Sequence, residues 1–161
     1  MFDGDELAGV VGQFGALTRE ELGRALEELA FKRGETVADP DAAVEDALTD
    51  LHLVAFERDG TELLAPGPAA FPALPDGAED LPHILDVEER SVDRAALVDP
   101  AERRLRSAAA NAAAAGDRER IERLLDATYD LETWASDADV ASVRERLDAA
   151  LDDLDGAPDG V

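Results

Sequence analysis

Between residues 66 and 82 the chain holds Pro66, Pro68, Pro72, Pro75 and Pro82 together with Gly67 and Gly77, and no regular element can run through that stretch. The polypeptide must build its helices and strands in two groups, one before this connector and one after it. A chain of 161 residues can form one domain with a real core or two small ones packed together, and the proline-rich stretch favours the second. Phe71 and Leu74 are large apolar residues within the connector, which predicts that it is pinned to a core. The segment Asp80 to Val87, with Leu81, Ile84 and Leu85, continues that theme and is expected to dock between the two groups.

Ahead of the connector, Leu7, Val10, Val11 and Phe14 follow the i, i+3, i+4, i+7 spacing of one helical face. Gly9, Gly12 and Gly15 interrupt that pattern and suit close approach of another backbone; no strand precedes them, so they do not form a phosphate-binding loop. Thr18 and Glu21 make a capping box, flanked by Leu17 and Leu22 as a hydrophobic staple. A second helix starts there, with Leu22, Ala25, Leu26, Leu29 and Ala30 on its apolar face and Gly34 as its stop. Asp39 and Pro40 supply an N-cap and first-turn proline for a third helix through Val44, Ala47, Leu48 and Leu51. Leu53 to Phe56 and Thr61 to Ala65 are short extended runs on either side of Asp59-Gly60, the signature of a tight hairpin.

Helix, capped helix, helix, hairpin is the order of a winged helix-turn-helix domain, and residues 5 to about 68 resemble that family in topology. The resemblance implies that the third helix is a recognition helix and that Glu57 to Glu62 form a wing tip. The surfaces such a domain turns to DNA are acidic here: Asp41, Glu45, Asp46 and Asp50 on the helix, and Glu57, Asp59 and Glu62 beside Arg58 on the wing. DNA affinity rests largely on Lys and Arg contacts to phosphate, and this helix has none. Protein interaction or structural use of the fold is therefore favoured over DNA binding.

After the connector, Asp99-Pro100 is expected to start a helix running to Ala115, with Leu105, Ala108, Ala109 and Ala112 on one side. Gly116-Asp117 ends it and caps the next, whose face is Ile121, Leu124, Leu125 and Thr128, with Leu131 and Trp134 beyond. A last helix is expected to begin within Ser136 to Asp139, and Val140, Val143, Leu147, Leu151 and Leu154 form one narrow seam that closes a three-helix bundle. The predicted fold is mainly α with one small β-hairpin: a winged-helix-like domain over 1–68, a Pro-rich connector packed on the core over 69–98, a helical bundle over 99–154 and a flexible tail over 155–161.

Composition narrows the chemistry. Lys+Arg number 15 against 39 Asp+Glu, a net charge of -24, and Lys32 is the only lysine. Such a surface repels itself in dilute buffer, whereas concentrated salt screens it over a Debye length of about 3 Å at 1 M. A halophilic cytoplasm fits. The chain has no cysteine, which excludes disulfides, thiolate metal sites and cysteine nucleophiles. The amino terminus lacks the pattern of a signal peptide and no apolar run reaches the roughly 20 residues of a membrane span, so a cytoplasmic location is expected. His52 and His83 lack a second histidine at metal spacing and read as hydrogen-bonded structural residues. The Asp152 to Gly156 run starts too late for a calcium loop and reads as a solvated end.

The phrases Phe14-Gly15-Ala16-Leu17-Thr18, Gly67-Pro68-Ala69-Ala70-Phe71-Pro72, Glu79 through Val87 and Thr128-Tyr129-Asp130-Leu131-Glu132-Thr133-Trp134 resemble an uncharacterised haloarchaeal protein family of about this length. That resemblance implies a salt-loving archaeal source and no catalytic residue. No catalytic motif, cofactor or metal site is expected, and a non-enzymatic interaction or regulatory module leads over a transcriptional regulator, as monomer or homodimer. The acidity has one exception. Arg90, Arg94, Arg103, Arg104, Arg106, Arg118, Arg120 and Arg123 lie where the rest of the chain avoids basic residues. Two uses are open to them: pairing with neighbouring acidic helices, which is favoured, or a surface for a protein or nucleic-acid partner.

Overall fold

A computed structural model describes residues 2–36 and 39–156. The element order is α1 (Gly4–Phe14), α2 (Arg19–Lys32), α3 (Pro40–Thr49), β1 (Leu53–Arg58), β2 (Thr61–Pro66), a 3-10 turn (Ala78–Asp80), α4 (Leu81–Ile84), α5 (Ala95–Ala115), α6 (Arg118–Trp134) and α7 (Ala141–Gly156). The fold is mainly helical with one antiparallel hairpin, as the periodicities predict.

Local chemistry explains most boundaries. The Thr18 hydroxyl accepts the Glu21 N–H and the Glu21 carboxylate accepts the Thr18 N–H, so the capping box is fully formed. Asp3 and Glu6 form a second box at the start of α1. Asp39 caps α3 through the Ala42 N–H, with Pro40 at the first position. Asp59 (φ 53) and Gly60 (φ 79) both adopt positive φ, the two-residue turn whose twist matches the flanking strands.

The hairpin is the structural centre of the molecule. An isolated pair of strands is marginal in water, and this one is buried on both faces. Leu53 and Leu64 turn into a core made by α1, α2 and α3 with Ala78 and Leu81. Val54, Phe56, Leu63 and Ala65 turn the other way, into a core made with α5, α6 and α7. Strand alternation thus makes one ladder the common wall of two helical layers. Leu17, between α1 and α2, adds an antiparallel bridge to β2: its N–H donates to the Leu64 carbonyl at 3.0 Å and its carbonyl accepts the Leu64 N–H at 2.7 Å.

Several expectations need correction. Helix α3 stops at Thr49, and Leu51 takes a left-handed conformation (φ 61) while its side chain is fully buried. The His52 N–H then reaches back to the Ala47 carbonyl at 2.8 Å, closing the helix end as a glycine usually does. Burying a leucine contributes about 1.5–3 kcal/mol, which outweighs a left-handed cost of about 1–2 kcal/mol. Helix α5 begins at Ala95, before the expected Asp99-Pro100 start, and carries Pro100 inside it. Leu97 supplies the reason: its burial in the bundle core rewards the extra turn, and the Asp93 carboxylate caps it through the Ala95 N–H. Helix α7 starts at Ala141, beyond the expected Ser136 to Asp139, and the Asp139 N–H ahead of it donates to the Glu102 carboxylate of α5.

The connector is not wholly without regular structure, since it holds the 3-10 turn and α4, whose first turn tolerates Pro82. Phe71 and Leu74 do not pin it: they are 79% and 52% exposed. Backbone contacts hold it instead. The Phe71 N–H donates to the Asp5 carboxylate and the Ala73 N–H to the Asp5 carbonyl, while the Ala73 carbonyl lies against Gly9, where any side chain would collide. Leu81, Leu85 and Val87 pack on the α1–α3 core alone, so the Asp80 to Val87 segment does not dock between the halves. Asp155 and Gly156 complete α7; the rest of the expected tail, 157–161, lies outside the described residues.

Candidate functional site

The arginines between residues 90 and 123 are directed at different neighbours. Arg90 donates to the Glu21 carboxylate at 2.7 Å and to the Ala16 carbonyl at 3.0 Å, fastening the connector to the α1–α2 turn. Arg104 on α5 reaches Glu45 at 3.2 Å and the Thr49 hydroxyl at 3.4 Å, both on α3. Arg120 on α6 lies 3.8 Å from Asp50 at the end of the same helix. Arg106 and Arg118 pair within the C-terminal part of the chain, 3.6 Å from Asp139 and 2.6 Å from Asp155. Arg94 stacks over the Trp134 ring at 5.0 Å. Arg103 and Arg123 are exposed and have no ion pair among the described residues.

These contacts tie carboxylates on the helix expected to face a partner. Glu45 is shared between Arg19 of α2, at 2.8 Å, and Arg104 of α5. The hydrogen bond from Arg19 outweighs burial and, with Arg104, holds the Glu45 carboxyl below its ordinary range. For Glu21, burial pushes the carboxyl up, but Arg90 and the Thr18 N–H together overcome it and the net shift is downward. Asp130 on α6 goes the other way: burial and the neighbouring Asp126 raise it, against a smaller opposing effect of His52.

The histidines do not form a centre. His83 is exposed, contrary to the expected structural role. His52 is half-buried beside Asp5, with Nε2 at 3.8 Å from the carboxylate, and lines a cleft of about 300 Å³ with Asp46 and Asp50. Among the described residues no group of three or more His, Asp or Glu is placed to hold a metal ion. No helix of the described residues is long and apolar enough to cross a membrane.

Sequence reasoning misses a groove between the hairpin and α5. It has a volume of about 570 Å³ and is lined by Ala55, Phe56 and Glu57 of β1, Glu62 of β2, and Ala96, Asp99, Pro100 and Arg103 of α5. A smaller hollow of about 330 Å³, sharing Ala55, Pro100 and Arg103, extends it towards Leu48 and Arg104. The sequence signal for it is Pro100, but only once that residue is known to sit inside a helix.

Residues 5–152 match the model of DUF7109, a family of unknown function. No curated protein and no solved structure matches the chain.

Proposed function

We propose that this chain, which belongs to the DUF7109 family of unknown function, is a non-enzymatic protein-interaction or regulatory module working in a salt-rich cytoplasm. The observation that carries the reading is the disposition of α3. Its Glu45 accepts a hydrogen bond from Arg104, Asp50 at its C-terminal end lies 3.8 Å from Arg120 of the bundle, and its remaining outward acids, Asp41 and Asp46, repel phosphate. The net charge of -24 with a single lysine supports the salt-rich setting, where carboxylates hold water and cations without mutual repulsion.

The alternative, a winged-helix DNA-binding regulator, draws support from the Leu17–Leu64 bridge. A strand contact between the first two helices, added to a hairpin after the third, is the sheet arrangement of a winged helix. Its weakness is the cation supply: five of the eight arginines form ion pairs within the chain, and only Arg103 and Arg123 remain as exposed, uncommitted cations in that stretch. Affinity purification of the tagged chain from its native cells in molar KCl, with and without nuclease, separates the two. Protein partners that survive nuclease support the interaction module; partners lost with nuclease, alongside enriched DNA, support the regulator.

A further inference from the structure

The geometry points to the outer edge of β1 as a site where an extended segment of a partner protein adds as a third strand, lying in the groove against α5. The inference rests on the interaction-module reading and deepens it by naming the surface and the form of the partner.

In an antiparallel pair, facing residues alternate between those that exchange both backbone bonds and those whose N–H and C=O point away from each other. Leu64 gives both of its backbone groups to Leu17, away from β1. Its register partner Ala55 is therefore in a position of the second kind, with N–H and C=O turned to the opposite edge. Two residues on, Glu57 opposite Glu62 repeats the situation. The tight turn agrees, because a two-residue loop places its flanking pair, Arg58 and Thr61, in the bonded position. Four backbone groups on Ala55 and Glu57 thus face outward, and no partner for them occurs among the described residues.

An open strand edge is a template that proteins usually blunt with charge, proline or cover. This edge borders the groove of about 570 Å³, and the opposite wall adds unmatched groups of its own. Pro100 has no N–H, so the Ala96 carbonyl one turn earlier lacks its helical donor, and Ala96 lines the groove. Arg103 projects from the same wall and forms no ion pair among the described residues, although Asp99 and Glu57 share the lining. The groove therefore presents donors and acceptors at strand spacing on one side and, on the other, the Arg103 guanidinium beside Asp99, with Glu57 and Glu62 along the hairpin and Glu62 already paired with Arg19. The chemistry that fits is an extended peptide: main-chain groups for Ala55 and Glu57, and a carboxylate for Arg103.

The test uses the full chain in molar KCl, panned against a random linear-peptide display library, with selected peptides then synthesised and titrated. Hydrogen exchange of the Ala55 and Glu57 amides should slow on binding, with little change at Phe56, which already bonds across the ladder. Glu57→Pro, which removes an outward N–H while sparing ladder bonds, should weaken binding about tenfold or more. Arg103→Ala should weaken it about fivefold. Circular dichroism of each variant confirms folding; if Glu57→Pro unfolds, N-methylation of alternate peptide residues reads out the same bonds. Loss of binding on methylating one alternate set but not the other supports the inference. Peptides that protect a different surface overturn the edge assignment while leaving the interaction module standing. Failure to select any binder overturns the edge assignment, and the purification from native cells then judges the module independently.

Discussion

The guanidinium of Arg90 lies 2.7 Å from the carboxylate of Glu21, the residue that also completes the capping box of α2. One carboxylate therefore serves a helix start and a connector 69 residues away in sequence. Glu21 is the less exposed partner, at 14%, so the pair belongs with part-buried interactions rather than free surface salt bridges. Arg90→Ala should lower unfolding stability by about 2 kcal/mol at neutral pH. Because Glu21 titrates below its ordinary value in the folded chain, its contribution is complete above the unfolded glutamate pKa of about 4.3. It is lost as pH falls through the lower folded value. Denaturant titrations at neutral and strongly acidic pH should show the difference between wild type and variant shrinking on the acid side.

Much of this architecture is legible in the amino-acid sequence. Asp3, Thr18, Asp39 and the Asp59-Gly60 turn are local signals whose chemistry is completed within a few residues, so helix starts and the hairpin can be read directly. The features that are not legible depend on distant partners. Leu51 replaces a helix-ending glycine only because a core accepts its side chain, and Pro100 lies within a helix only because Leu97 is buried upstream of it. Phe71 and Leu74 are natural anchors by hydrophobicity, yet Asp5 and Gly9 hold the connector by its backbone. The destinations of the arginines are equally hidden, since Glu45 and Glu21 lie 59 and 69 residues from their partners. The two-residue turn fixes which groups of the hairpin face outward, but that β1 rather than β2 keeps the open edge is not legible, because the Leu17–Leu64 bridge covers the other one.

Two glycines predict opposite outcomes. Gly15 has φ 83 and its missing Cβ faces the carbonyl oxygen of Arg90, so Gly15→Ala should cost about 2 kcal/mol or more. Gly23 lies inside α2 with open space around it, and Gly23→Ala should stabilise by about 0.5–1 kcal/mol. Thermal unfolding of both variants in the same buffer checks the pair.

Asp130 should be improved by removal of its charge. Its raised pKa means that the folded state disfavours the ionised form, so its contribution is complete below the unfolded aspartate pKa and is lost as pH rises through the folded value. Asp130→Asn should raise the melting temperature at neutral pH and leave it nearly unchanged at pH about 3, below the ordinary aspartate value. A neutral-pH melting temperature equal to or below that of wild type would contradict the electrostatic assignment.

Salt should stabilise the whole chain. With a net charge of -24, screening relieves more repulsion than it removes from the exposed ion pairs. Circular dichroism melts from about 0.1 to 2 M KCl should show a steadily rising transition.

The disposition of α3 and the arginines is tested most directly by fluorescence anisotropy of labelled double-stranded DNA, titrated with chain shown to be folded in molar KCl. With Glu45 bonded to Arg104 and Asp50 beside Arg120, no saturable binding is expected. Saturable binding that disappears in the Arg103→Ala, Arg123→Ala double variant would contradict it, and would make the two uncommitted arginines a nucleic-acid surface.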